Sequence, residues 1–214
     1  MRTIKRLNEE IARWAFEIIF KTSCSWKIAF TNPTAGPWKT IKADSKFTGN
    51  EGEVYRFILE EDRPDIIIYN DVLESVIIFE AKDSLEKLLN RKQAVKSAAV
   101  VVKLADLLQR KSGNAFWNGR ETYKVILGLL WGSTDSPESD DEKNRLYDHY
   151  HSLIQDEASV YKDIIVGVET LYSRGKLTCA IFFKTYSESE VIYGQELIKS
   201  LSRPLNELEC SLDL

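Results

Sequence analysis

Asp65, Glu80 and Lys82 are of the residue types that handle phosphate and divalent-metal chemistry, and their spacing lets them meet. They frame the stretch Arg63-Pro64-Asp65 to Lys82-Asp83-Ser84. In it an acid stands before one apolar run, Ile66 to Tyr69, and an acid-x-lysine closes a second, Val76 to Phe79. Two carboxylates brought onto one small face repel, and each raises the pKa of the other. A hard divalent cation relieves that conflict, and Mg²⁺ takes carboxylate, water and phosphate oxygens as its ligands. A lysine beside such a centre can orient a water or stabilise developing negative charge.

The elements that position these residues follow from local pattern. Short runs of Val, Ile, Tyr and Phe separated by Asn70-Asp71 and Glu74-Ser75 predict a β-hairpin. Pairing Asn70 with Ser75 around the loop 71–74 places Asp65 opposite Glu80. Opposed residues in an antiparallel pair share a face, with Cβ atoms roughly 5 Å apart. The period of two adds Lys82 to that face and sends Ile77, Phe79 and Ala81 to the other.

Around the hairpin, Thr3 to Thr22 has helical periodicity, and Trp26 to Phe30 reads as a short strand before the Pro- and Gly-containing loop 32–37. Glu53 to Glu60 reads as a strand leading into the hairpin. Leu85 to Arg110 predicts one long helix, roughly 39 Å if unbroken. Its buried face is expected at Leu88, Val95, Ala99 and Val102, widened by Ala94, Ala98, Val101 and Ala105, with a basic ridge at Lys92, Lys96, Lys103 and Arg110. Tyr123 to Trp131 has the nearly continuous apolar character of a central strand. Asp141 to Asp156 predicts a polar helix. Ile164 to Leu171 pairs with Leu177 to Phe183 across residues 173–176, and Glu188 to Leu201 is expected to be a closing helix ending before Pro204. This order predicts an α/β fold, a mixed β-sheet flanked by helices.

Pro64-Asp65 with Glu80-x-Lys82, 14 residues lying between the two acids, resembles the PD-(D/E)xK nuclease superfamily. Among its members the chain is most similar to type II restriction endonucleases. The resemblance covers residues 53–110 and extends to the strand at 123–131. It implies a restriction-endonuclease-like core and a single nuclease domain over residues 1–214, with the catalytic core at 53–131. The metal ligands expected are Asp65, Glu80 and the backbone carbonyl of Ala81, and the catalytic residues Asp65, Glu80 and Lys82. The implied reaction is Mg²⁺-dependent, sequence-specific hydrolysis of double-stranded DNA to leave 5′-phosphates, by a homodimer that cuts the two strands of a palindrome. A repair or junction-resolving nuclease of the same fold is the alternative within enzymes, and a non-catalytic DNA-binding or interaction module the alternative outside them. The superfamily often adds a glutamate from the first helix. Glu10, Glu17, Glu51 and Glu53 compete for that role, and none is assigned.

The bland reading of Asp65, Glu80 and Lys82 is a set of strand-end charges paired at the surface. Against it, Glu80 directly follows Val76 to Phe79, where an unpaired charge is expensive, and Pro64 fixes the chain at the entrance to the first strand. The net charge of −4 gives no global attraction to nucleic acid, so phosphate contacts must come from local basic patches. The candidates are Lys39, Lys42 and Lys46, interleaved with Trp38 and Phe47, together with Lys92 and Lys96 of the basic ridge. Asn114, Trp117, Asn118 and Arg120 are candidates for reading base edges.

A hydrophobic content of 43% and a charged content of 29% are ordinary for a soluble globular chain. There is no long apolar run and no signal-peptide pattern, so a cytoplasmic protein is expected, with no membrane association. Cys24, Cys179 and Cys210 are odd in number and widely spaced, as reduced thiols are. His149 and His151 are the only histidines and complete no zinc or HNH pattern; they are expected on a surface helix. No GxGxxG, P-loop or GxSxG motif supports a nucleotide cofactor or serine-hydrolase chemistry.

Overall fold

The computed structural model describes residues 25–31, 42–43, 64–109, 123–134, 136–173 and 176–209. The strands are β1 (Lys27–Thr31), β2 (Lys42–Ala43), β3 (Ile66–Asn70), β4 (Ser75–Lys82), β5 (Lys124–Thr134), β6 (Ile164–Ser173) and β7 (Lys176–Thr185). Among the described residues they form one sheet in the order β2-β1-β3-β4-β5-β6-β7. β4, β5 and β6 run parallel, while β1, β3 and β7 pair antiparallel with their neighbours. The helices are α1 (Leu85–Leu89), α2 (Arg91–Gln109), α3 (Asp140–Ile154) and α4 (Val191–Glu209). The architecture is therefore α/β, a mixed sheet flanked by helices, as the element order predicts.

The β3–β4 register is the one deduced from the turn, from Asn70 opposite Ser75 to Ile66 opposite Phe79. Asn70 anchors that turn, its Oδ1 accepting from the N–H groups of Val72 at 2.9 Å and Leu73 at 3.0 Å. Glu74 ends the loop in the left-handed region, at φ 45°. Alternation then divides the hairpin between two cores. Ile67, Tyr69, Val76 and Ile78 pack towards α1, α2 and α3, whereas Ile66, Ile68, Ile77, Phe79 and Ala81 pack with Leu197 and Leu201 of α4. Both parallel crossovers run through helices on the first face, and that face carries the site.

Three helical expectations are corrected. The predicted long helix is broken at Asn90, whose backbone is extended at ψ 116°. Asn90 Oδ1 accepts from the Gln93 N–H at 3.2 Å. Asparagine favours such a capping position over a helix interior, because its side chain competes for backbone N–H groups. The buried face of α2 is centred on Ala94, Ala98, Val101, Leu104, Ala105 and Leu108. Val95, at 48% exposure, and Ala99 instead lie beside Lys92, Lys96 and Lys103 on the solvent side. Leu104 and Leu108 mark the stripe that meets the sheet, while Val95 and Ala99 share their side with three lysines. Finally, α4 continues through Pro204 to Glu209. The buried Leu197 and Leu201 hold the preceding turns on the sheet, so tertiary packing outweighs the local helix-breaking tendency.

The other expected elements are present as β1, β5, α3 and the β6–β7 hairpin, in which Ser173 is opposite Lys176. α3 begins at Ser139 with a reciprocal capping box to Glu142, and it is more amphipathic than predicted, burying Leu146, Tyr147, Tyr150 and Ile154. Cys179 is a free thiol, which burial pushes up to about 11. The expected helix 3–22, the strand 53–60 and the loop 32–37 lie outside the described residues. No helix among the described residues is long and apolar enough to cross a membrane.

Two features of the sheet generate stability predictions. Glu169 of β6, 2% exposed, accepts from Ser133 Oγ at 2.7 Å and the Glu138 N–H at 2.7 Å, and it pairs with buried Lys143 at 3.0 Å. Burial opposes its charge, but these donors outweigh burial and hold its carboxyl below the usual range. Their contribution is therefore present at neutral pH and lost as pH falls through that lowered range. Lys143→Met should strand the carboxylate and cost about 3–5 kcal/mol in urea unfolding. Gly128 of β5 lies beside Phe79, whose Cδ1 would stand 2.4 Å from an added Cβ. Gly128→Ala should therefore cost about 1–3 kcal/mol in the same measurement.

Candidate active site

The open end of the β3–β4 hairpin carries the site. Asp65 lies just before β3, and its N–H donates to the Phe79 carbonyl at 3.1 Å, one residue out of step with the ladder, in which Phe79 is opposite Ile66. Its Oδ2 accepts from the Ala81 N–H at 2.8 Å. The carboxylate thus does the work of a backbone acceptor where β3 has run out, and this holds it in one orientation. Glu80 and Lys82 of β4 project to the same side because they are two apart, as the alternation requires.

The Lys82 ammonium links the group. Its Nζ donates to Glu80 Oε1 in a short ion pair and to the Ala81 carbonyl at 2.9 Å, and it lies 3.8 Å from Asp65 Oδ2. Oxygens of three residues, Asp65, Glu80 and Ala81, therefore surround one cationic nitrogen. Both carboxylates are buried, Asp65 at 6% exposure and Glu80 at 8%. Burial raises the Glu80 carboxyl above its usual range and the Asp65 charge adds to the rise, while Lys82 and Ser97 oppose it.

Three residues that the sequence analysis did not single out complete the surroundings of Glu80. Gln93 Nε2 of α2 donates to Glu80 Oε1 at 3.0 Å and to Ser97 Oγ at 3.2 Å. Ser97 in turn donates to the Gln93 carbonyl at 2.9 Å, which ties the pair to one turn of helix. Tyr150 of α3 is buried, and burial together with the Glu80 charge raises its phenol above the ordinary range. Ser97 acts against that rise. The available signal for Gln93 and Ser97 was two polar residues at i and i+4 beside an apolar stripe. For Tyr150 there was none, since its spacing reads only as core.

The site lies at the carboxyl end of β4, where Lys82 stands beside Trp131 of β5, itself opposite Glu169 of β6. In open sheets, ligand sites gather at the carboxyl ends of parallel strands. The donor set is all oxygen, comprising two carboxylates and a carbonyl, and it suits a hard divalent cation such as Mg²⁺. No group of three or more His, Cys, Asp or Glu side chains converges among the described residues. His151 is half-buried and stacks on Tyr186 with ring centroids 3.6 Å apart.

Of the residues expected to contact DNA, Lys92 and Lys96 are exposed on α2 and bracket Gln93, the residue that reaches Glu80. Lys103 extends the exposed ridge, and Lys42 lies in β2. Lys39, Lys46, Arg110, Asn114, Trp117, Asn118 and Arg120 lie outside the described residues, as do Glu10, Glu17, Glu51 and Glu53. In comparisons with known proteins, no family model, no curated protein and no solved structure matches the chain.

The bond from Ala81 N–H to Asp65 separates the two obvious Asp65 variants. Asp65→Ala leaves that buried N–H without its acceptor and should cost about 1–3 kcal/mol in thermal or urea unfolding. Asp65→Asn keeps an oxygen at the same place and should recover much of that loss.

Proposed function

We propose that this chain is a Mg²⁺-dependent deoxyribonuclease with a restriction-endonuclease-like core, of the type II restriction kind, acting in the cytoplasm. The observation that carries the reading is the convergence of Asp65 Oδ2, Glu80 Oε1 and the Ala81 carbonyl around the Lys82 ammonium, at the carboxyl end of a parallel strand. Two buried acids, a carbonyl and an amine form a compact hydrolytic donor set. A structural ion pair would need only one acid and one amine.

Asp65, Glu80 and the Ala81 carbonyl would hold the cation. When bound, Mg²⁺ supplies Lewis-acid polarisation of the scissile phosphate and lowers the pKa of an attacking water. Asp65 is kept in place by the Ala81 N–H, and Gln93 restrains Glu80, so neither acid has to be ordered at the moment of reaction. Lys82 is the group that would orient the water or neutralise charge developing on the phosphate.

The exposed Lys92 and Lys96, on the same turns of α2 as Gln93, support phosphate contacts close to the scissile bond. Base reading is assigned to Asn114, Trp117, Asn118 and Arg120, and further phosphate contacts to Lys39, Lys42 and Lys46. A homodimer follows from the need to cut both strands of a two-fold symmetric site.

Plasmid DNA incubated with the protein and Mg²⁺ tests this reading. Discrete, reproducible fragments are expected, bearing 5′-phosphates. Nicking that follows DNA structure would favour a repair or junction-resolving nuclease, and no cleavage would favour a binding module. Asp65→Asn and Lys82→Ala should each lower cleavage by about 100-fold or more while leaving DNA binding in Ca²⁺ nearly unchanged. Full activity in either variant would remove the assigned residue from the reaction. Lys92→Glu with Lys96→Glu should weaken binding to all sequences alike and flatten its dependence on salt.

A further inference from the structure

The position of Lys82 carries an inference that deepens the nuclease reading and rests on it. The ammonium stands at the point where the oxygens of Asp65, Glu80 and Ala81 converge, donating to two of them and lying 3.8 Å from the third. A divalent ion coordinated by those oxygens would claim the same place. We propose that Lys82 is an internal counter-ion that competes with the divalent cation for these oxygens, so that cation binding displaces its Nζ from Glu80 and the Ala81 carbonyl.

Three observations support the competition. Both carboxylates are buried, so in the absence of a divalent ion they need a local positive charge. The Lys82 side chain is 19% exposed, which leaves the ammonium a direction in which to move without crossing the core. Gln93 donates independently to Glu80 Oε1, so the carboxylate stays oriented when the ammonium leaves. The same displacement would turn Lys82 from a structural partner into a free amine facing the substrate side, making the amine available only once the cation is in place. The competition also sets the direction of a mutational effect: removing the lysine should strengthen cation binding while destroying catalysis. A lysine standing clear of these oxygens would oppose the cation only by repulsion at a distance, and its accessibility would not change when the cation binds.

Calorimetric titration of Mn²⁺ into the full chain without DNA tests this, using the wild type, Lys82→Met, Lys82→Gln and Asp65→Asn. Lys82→Met should bind Mn²⁺ about tenfold more tightly than the wild type, because the ion no longer has to displace an ammonium from Glu80 and the Ala81 carbonyl. The gain should vanish when Asp65→Asn is added. Metal-free Lys82→Met should melt below the wild type and gain more in melting temperature from Mn²⁺. Lys82→Gln, which keeps a donor to Glu80 and removes the charge, provides the same comparison should the methionine variant fold poorly.

Wild-type protein provides a second readout. Reductive methylation mapped by mass spectrometry should modify Lys82 faster when Mg²⁺ is present. Equal or weaker Mn²⁺ binding in both Lys82 variants, a gain insensitive to Asp65→Asn, or unchanged labelling of Lys82 would each overturn the competition. If the wild type cuts plasmid DNA while these results fail, only the competition is lost. If neither cutting nor Mn²⁺ binding is seen, the nuclease reading falls with it.

Discussion

Two buried like charges share one face of the hairpin, and the open end of the β3–β4 pair is built to keep them there. Asp65 and Glu80 cannot both remain ionised at low exposure without compensation. The compensation is specific to each: a backbone N–H for Asp65, the Gln93 amide for Glu80, and the Lys82 ammonium for both. One positive charge between two negative ones leaves a site that is polarised towards cations even with its own lysine in place. That residual negative character, more than any single contact, distinguishes this end of the hairpin.

The rest of the sheet supports this end by rigid packing. β4 is paired on both sides, antiparallel with β3 and parallel with β5, so the backbone of Glu80, Ala81 and Lys82 is held from two directions. Phe79, one residue before Glu80, packs its ring over Gly128, where a side chain would not fit. On the far side of Trp131, the buried Glu169 with Lys143 and Ser133 forms a second polar cluster, fully engaged in bonds within the chain. The contrast is informative. Glu169 has one carboxylate and enough donors to lower its pKa, whereas Glu80 is raised despite its lysine. At Glu169 the donors outweigh burial, whereas at Glu80 burial and the Asp65 charge outweigh the donors.

Much of the site was legible from local rules. The turn at Asn70 to Ser75 determined the register, the register placed Asp65 by Glu80, and the period of two added Lys82. Residues contributed by distant elements were not legible in the same way. Gln93 reaches Glu80 from α2, which begins anew after the break at Asn90, and Tyr150 comes from a helix 70 positions beyond Glu80. Part of the face of α2 was misassigned: Ala94, Ala98, Val101 and Ala105 are buried as expected, whereas Val95 and Ala99 are exposed. The alanines and valines of its first turns do not separate the two sides, and the leucines that do, Leu104 and Leu108, lie further along the helix. Pro204 shows the same override: two buried leucines hold α4 on the sheet through a residue that locally disfavours helix.

The amino-acid sequence by itself determined β1, β3, β4, β5 and the β6–β7 pair, the hairpin register and the meeting of Asp65, Glu80 and Lys82, because strand alternation and turn pairing are short-range geometric rules. Only the tertiary structure decided how deeply the two acids are buried, which side chains restrain Glu80, and that Lys82 stands at the focus of three oxygens. Those properties depend on the packing of α2 and α3 against the sheet and on the dielectric surroundings this creates. Neither is encoded in the spacing of any one segment.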